Sequence, residues 1–436
     1  MAVRPSGDFS VLPGANNMLA SNDFETGLLA LAGALILPYP EKKDTFIYIS
    51  GDFYNYQTSQ NPPWWYVGFK PILYSIFTQG DSGTKMIEYR KILFDQEVVV
   101  DGHFVAVRHG NGRDWWVMQP IPFSDRYIAY SVTPNGISVD HIDHTGQHIT
   151  DTGIGQTCFS PDGKRFVQYR QYGIFNVSPP ADSSCFFLFD FDRCAGHLTP
   201  KVQRYWPKGE LGGAAFSPNS RYLYIARWDT VFQYDVEAAD ILSTETVVAK
   251  YDGFLDTNII KSGLPVRFFL MKLGPDGRIY INIANFNLPW LHVIEHPDEK
   301  GVACEVKQHA IELPVWNAFS MPNIPNYRLG KELGSPCDTI TASHDPPSQK
   351  EVEMMSIFPN PTREKLFVNL ASVVGEPVTF RLCDLKGRLL LEWKLDNAPM
   401  EAFELSVKGL PSGQYVLFIY SATHQPVTQK VVIFRE

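Results

Sequence analysis

Apolar residues in this chain come in short runs, many alternating with polar ones, and turns containing Gly or Pro separate them about every ten positions. Arg221-Tyr222-Leu223-Tyr224-Ile225-Ala226 has the alternation that gives a strand one buried face. Phe186-Phe187-Leu188-Phe189-Asp190 and Val231-Phe232-Gln233-Tyr234-Asp235 are apolar runs of strand length, and no amphipathic helix of useful length intervenes. Three segments are near copies: Phe159-Ser160-Pro161-Asp162-Gly163-Lys164-Arg165-Phe166, Phe216-Ser217-Pro218-Asn219-Ser220-Arg221-Tyr222-Leu223 and Leu273-Gly274-Pro275-Asp276-Gly277-Arg278-Ile279-Tyr280. Their first residues are 57 positions apart each time (216 − 159 and 273 − 216). A fixed period of this size means one supersecondary unit packed on its neighbours. Each copy sets a Pro-Asp-Gly type turn between two strands.

Weaker copies lie upstream, at Val105-Ala106-Val107-Arg108 through Trp115-Trp116-Val117, and at Leu35-Ile36-Leu37-Pro38 through Phe46-Ile47-Tyr48-Ile49. Five units are therefore visible. With about four short strands in each, residues 1–337 read as an all-β, WD40/YVTN-like β-propeller of five to seven blades, the first incomplete. Residues 309–329 are expected to supply closing strands, because an early and a late strand sharing one blade leave no exposed edge. A solenoid would stack the same units in a line, but the turn chemistry fits a propeller better. Residues 338–356 are polar and Pro-rich, as a linker should be. Residues 357–436 return to short strands between Gly and Pro turns, which predicts a small separate β-sandwich.

That last stretch opens on Pro359, Asn360 and Pro361, turns at Asp384, Gly387 and Arg388, and continues through Gly413 and Tyr415 to a final apolar strand. In this order the motifs resemble the C-terminal sorting domain of the Bacteroidetes type IX (Por) secretion system, over about a fifth of the chain. The body resembles uncharacterised Bacteroidetes propeller proteins that carry the same domain, through Phe189-Asp190-Phe191-Asp192-Arg193-Cys194-Ala195-Gly196, the repeated turns and Met321-Pro322-Asn323-Ile324-Pro325-Asn326-Tyr327-Arg328-Leu329. The resemblance implies secretion or display on the outer cell surface, with the outer-membrane translocon and a sortase as partners. Relatives begin earlier, with a signal peptide and an extra first blade. Here the apolar run that ends at Pro38 follows Asp23 and Glu25 and lacks a basic flank, so it reads as a core strand. The expectation is a chain that has lost its true beginning and its signal peptide.

Composition narrows the classes. A net charge of −9 without basic runs argues against nucleic acid, and no apolar run approaches the ~18 residues of a membrane helix. Aromatic residues make up 13 %, which favours strands. The six cysteines form no CxxC pair. For an exported chain Cys185 with Cys194, and Cys304 with Cys337, are the candidate disulfides, against scattered buried thiols.

No catalytic motif is present, and neither a cofactor nor a catalytic residue is assigned. Asp140, His141, Asp143, His144 and His148 form the most metal-like cluster, but strand alternation and the Thr145-Gly146 turn favour a solvated hairpin tip. Asp190 and Asp192 share a face as calcium ligands would, yet capping of a turn accounts for them better. Trp64, Trp65, Trp206, Arg227, Trp228 and Trp290 fall in loops or at strand ends where one rim of a propeller could stack on a sugar or a peptide. The same residues would serve to wedge blades together. The expected function is a non-catalytic protein- or glycan-binding propeller; the alternatives are an extracellular polysaccharide hydrolase or lyase, and an inactive truncated fragment.

Overall fold

The computed structural model describes residues 33–338 and 357–435, other than 58–64, 81–82, 101–102, 148–154, 173–182, 259, 284–287, 315–320, 359, 361, 369–372, 385–387, 400–401 and 422–426. The chain divides into two compact units, Met1–Ile340 and Thr341–Glu436.

Five antiparallel sheets of four consecutive strands build the first unit. Blade 1 contains β1 (Ala34–Pro38), β2 (Thr45–Gln57), β3 (Trp65–Gly80) and β4 (Gly83–Phe94), with β5 (Val99–Val100) added beside β3. Blade 2 contains β6 (Val105–Arg108), β7 (Trp115–Pro120), β8 (Arg126–Thr133) and β9 (Gly136–His144). Blade 3 has β10 (Gly155–Phe159), β11 (Arg165–Tyr172), β12 (Ser183–Phe191) and β13 (Leu198–Trp206); blade 4 has β14 (Gly212–Phe216), β15 (Tyr222–Arg227), β16 (Thr230–Asp235) and β17 (Thr246–Lys250). A two-stranded ribbon, β18 (Leu255–Asp256) and β19 (Leu264–Pro265), precedes blade 5, which has β20 (Phe268–Leu273), β21 (Ile279–Ile283), β22 (Trp290–Ile294) and β23 (Val306–Glu312).

The blades stand face to face, and alternate residues of one strand serve two different neighbours. On β8, Ile128 and Tyr130 pack with Leu35 and Ile47 of blade 1, while Tyr127 and Ala129 pack with Phe166 and Phe187 of blade 3. On β15, Leu223 and Ile225 face blade 3 and Tyr222, Tyr224 and Ala226 face blade 5. Burial on both faces explains why β15 is buried along its whole length, rather than on alternate residues as its sequence suggests. Each such apolar side chain removed from water contributes about 2 kcal/mol.

The repeated turns have a shared hydrogen-bond scheme. In the first, Ser160 N donates to Arg165 O, Gly163 N donates to Ser160 O, and Arg165 N returns to Ser160 Oγ. Ser217 and Ser220 repeat it in blade 4, where Ser220 takes the left-handed conformation (φ 64°) that Gly163 occupies in blade 3. The blade 5 copy is one residue shorter: Leu273 pairs with Ile279, six positions on, where Phe159 and Phe216 pair seven positions on.

Two amides tie the innermost strands. Gln156 of β10 donates to Met271 O (2.6 Å) and accepts from Ala214 N and Met271 N, so one side chain joins blades 3, 4 and 5. Gly213 permits this approach, since a Cβ there would lie 2.7 Å from Leu270 Cα. Asn323 donates to Ala34 O and Phe104 O, linking blades 1 and 2. Of the expected closing strands at 309–329, residues 315–320 lie outside the described residues, His309 lies on β23, and 321–329 form no strand; among the described residues each blade draws its four strands from one contiguous stretch. The physical reason is local: Pro322 and Pro325 lack the N–H that a ladder requires. The segment joins the blades instead through Asn323, through Lys272 Nζ to Ile324 O, and through Tyr327 Oη to Ile36 O.

The expected disulfides are corrected as well. Cys194 pairs with Cys337 across 143 residues, with a Cα–Cα distance of 5.5 Å. Cys185 sits in the core between blades 2 and 3, and Cys304 in the core between blades 4 and 5, so neither can reach the partner assigned to it. Burial pushes the Cys304 thiol up to about 11 and the Cys158 thiol up to about 12.

The second unit has two sheets around one core. One consists of β24 (Ile357–Phe358), β25 (Lys365–Val368) and β28 (Phe403–Ser406); the other of β26 (Val378–Asp384), β27 (Leu389–Leu395), β29 (Gly413–Ser421) and β30 (Val427–Ile433). Leu366, Phe380, Leu382, Leu405 and Leu417 fill the space between them. The motif residues shape its turns. Asn360 brackets β30, donating to Lys430 O and accepting from Val432 N; Arg388 Nε donates to Asp384 Oδ2; Tyr415 Oη donates to Pro411 O. Gly413 opens β29, and Pro359, Pro361 and Gly387 lie outside the described residues.

Candidate functional site

The innermost strands β6, β10, β14 and β20 and residues 321–329 enclose a cavity of about 1070 Å³. Its walls are mostly apolar, from Val105, Val107, Phe216, Leu270 and Met271 among others. Polar groups are few. Gln156 and Asn323 are already committed to strand backbones, and Lys272 reaches Ile324 O at 2.6 Å. Burial pulls the Lys272 ammonium below the ordinary lysine range. The described lining contains no Asp, Glu or His; its charged members are Lys272 and Arg328.

The rim candidates lie elsewhere. Trp206 is buried between Phe186 and Phe232, with the Arg227 guanidinium 4.4 Å above its ring. Arg227 is itself buried and pairs with Glu210 at 3.1 Å. Trp228 is half-buried against Phe269 and Leu270, and Trp290 is half-buried with its Nε1 donating to Asp256 Oδ2 at 2.6 Å. Trp65 starts β3, and Trp64 falls outside the described residues. Three of these tryptophans thus wedge structure together.

The segment from Phe189 to Gly196, by contrast, forms a clasp. Asp190 pairs with Lys201, and Asp192 caps the β12–β13 turn by accepting from Cys194 N and Ala195 N. Arg193, only 3 % exposed, donates to Arg108 O and to Gly330 O, while its own carbonyl accepts from Gly110 N and Trp116 Nε1. Beside it the Cys194–Cys337 bond passes over Gly110, where a Cβ would lie 2.5 Å from Cys337 Sγ. Blade 2, blade 3 and the exit of the first unit meet here.

The same turn brings in a residue the sequence did not offer. His197 ends it and stands against His141 and Asp143 of β9, their three ligand atoms all within 4.8 Å of one another. His144 points instead to Asp125, and His148 lies outside the described residues. Its place one residue after the Cys194-Ala195-Gly196 motif was the available signal.

Radially packed four-stranded sheets followed by a two-sheet sandwich define a β-propeller with a trailing β-domain. Residues 356–434 match the family of secretion system C-terminal sorting domains, so the trailing unit is a type IX sorting domain and the chain carries an address for secretion or the cell surface. Among the described residues no helix is long and apolar enough to cross a membrane. No curated protein matches the chain. Among solved structures it is similar to a candidate 6-phosphogluconolactonase of Bacteroides uniformis, at 13 % identity and TM-score 0.38 over 64 % of this chain and 85 % of that one. It is also similar to Sqt1 of Saccharomyces cerevisiae, at 12 % identity and TM-score 0.35 over 91 % of this chain and 84 % of that one. A second candidate 6-phosphogluconolactonase, from Bacteroides fragilis, gives 13 % and 0.33 over 65 % and 82 %. At such scores no ligand or activity passes from those proteins to this chain.

Proposed function

We propose that the protein is an exported, non-catalytic propeller that binds a protein partner by taking an extended apolar segment into its central cavity. The observation that carries this reading is how the cavity already holds residues 321–329. Lys272 and Arg108 donate to the main-chain carbonyls of Ile324 and Tyr327, and the walls take up Met321 and Leu329. Donors for the backbone and apolar walls for alternate side chains are what grooves for extended peptides provide. About 1070 Å³ remains beside that segment.

A glycan has less support, because a sugar needs an open aromatic face and Trp206, Trp228 and Trp290 are packed against their neighbours. A polysaccharide hydrolase would need a pair of carboxylates at the bond it cuts, and the described lining supplies amides and cations. Delivery would use the type IX translocon, with a sortase removing the tail. Peptide and glycan arrays probed with the full chain test the proposal. Apolar, Pro-containing peptides should be retained, and Lys272→Met should weaken them about tenfold through loss of a charged donor. Glycan retention abolished by Trp290→Ala would overturn it.

A further inference from the structure

The clasp places two imidazoles and a carboxylate from different blades around one point. His141 and Asp143 alternate on β9 and so share a face, and His197 arrives from the β12–β13 turn of blade 3. His197 Nδ1 lies 2.7 Å from Asp143 Oδ1, His141 Nε2 lies 3.7 Å from the same oxygen, and the two rings are 4.2 Å apart. Each ligand is aimed by a second contact. Asp140 Oδ2 lies 2.9 Å from His141 Nδ1, which leaves Nε2 as the free donor of that ring. Leu198 N donates to Asp143 Oδ2 at 2.8 Å, which leaves Oδ1 free to face the imidazoles. His141 Nε2 is buried without a hydrogen-bond partner, an arrangement that costs free energy unless something fills the position. His197 is 56 % exposed, so its ring borders solvent on one side of the cluster.

We propose that His141, Asp143 and His197 bind a divalent transition-metal ion of the zinc class, with water in the fourth position, and that the ion joins the outer strand of blade 2 to the turn of blade 3. Two nitrogens and one oxygen suit zinc, nickel or copper and not calcium or magnesium, which take oxygen ligands. Donors held about 2.0–2.2 Å from one tetrahedral ion lie about 3.3–3.6 Å apart, and the 2.7 and 3.7 Å separations from Asp143 Oδ1 to His197 Nδ1 and His141 Nε2 come near that spacing. The ion would lie three residues from Cys194, so metal and disulfide would fasten the same turn.

The test uses the full-length chain stripped with a chelator and titrated with zinc chloride, read by calorimetry and by thermal unfolding. Cobalt(II) absorption reports the coordination geometry. One equivalent of zinc should bind and raise the unfolding temperature. His197→Ala should weaken binding at least about 100-fold, and Asp140→Asn about 10- to 100-fold as a positioning residue. His144→Ala should leave the affinity unchanged. His197 is exposed, so its variant should keep the unfolding temperature of the chelated wild type, which separates lost ligation from lost folding. Absence of stoichiometric zinc binding, or equal affinity in His197→Ala, would overturn the site.

Discussion

Opening the Cys194–Cys337 bond should cost the first unit several kcal/mol. The bond closes a loop spanning 143 residues, which contains all of blades 4 and 5. In the chain-entropy treatment a cross-link of that span removes about 17 cal/mol/K from the denatured ensemble, or about 5 kcal/mol at 25 °C. Native contacts would retain part of the clasp in its absence: Arg193 still bonds Gly330 O, and Glu332 N still donates to Gly110 O at 2.7 Å. Those local bonds contribute only about 1 kcal/mol each and leave the denatured chain unrestricted. Cys194→Ser, Cys337→Ser and the double variant should therefore fall together, about 2–5 kcal/mol below the wild type. Guanidinium unfolding followed by tryptophan fluorescence measures this, and wild type held in reductant should converge on the variants. Stability of the double variant within about 0.5 kcal/mol of wild type would refute the reasoning. So would alkylation of both cysteines in the folded, unreduced protein.

Two further outcomes follow from buried groups. Gln156→Leu strands the amides of Ala214 and Met271 at the junction of three blades, and urea unfolding should show a loss of about 2 kcal/mol; a loss below about 0.5 kcal/mol would remove Gln156 from that role. Burial holds His292 down at about 3, so between there and the ordinary histidine value of about 6.5 the unfolded chain binds the extra proton. Its stabilising contribution is complete above pH 6.5 and declines on acidification, by about 2 kcal/mol at pH 5. In His292→Asn the slope between pH 7 and pH 5 should flatten; an unchanged slope would assign the effect to another group.

The repeat was the most legible part of the chain, because Ser160, Gly163 and their counterparts act within one turn, where sequence neighbours are also spatial neighbours. The alternation of β15 was harder to read, since a blade buries both faces and only packing decides which neighbour receives Leu223 and which receives Tyr224. Pairings across blades were not legible at all. Proximity in sequence favoured Cys185 for Cys194 and Cys304 for Cys337, whereas the fold carries Cys337 back over Gly110 after two further blades. His197 was missed for the same reason, lying 54 positions from Asp143. The tryptophans attracted a binding role because large aromatics mark both wedges and platforms, and Trp206 shows the wedge.

Cys337 directly precedes the polar, Pro-rich stretch that leads to the sorting domain. Tension applied to that tail would travel up the polypeptide only as far as Cys337, cross to Cys194, and be borne by the β12–β13 turn. The strap at 321–329, held only by hydrogen bonds and side-chain packing, carries none of that load, so hauling on the tail leaves the mouth of the cavity undisturbed.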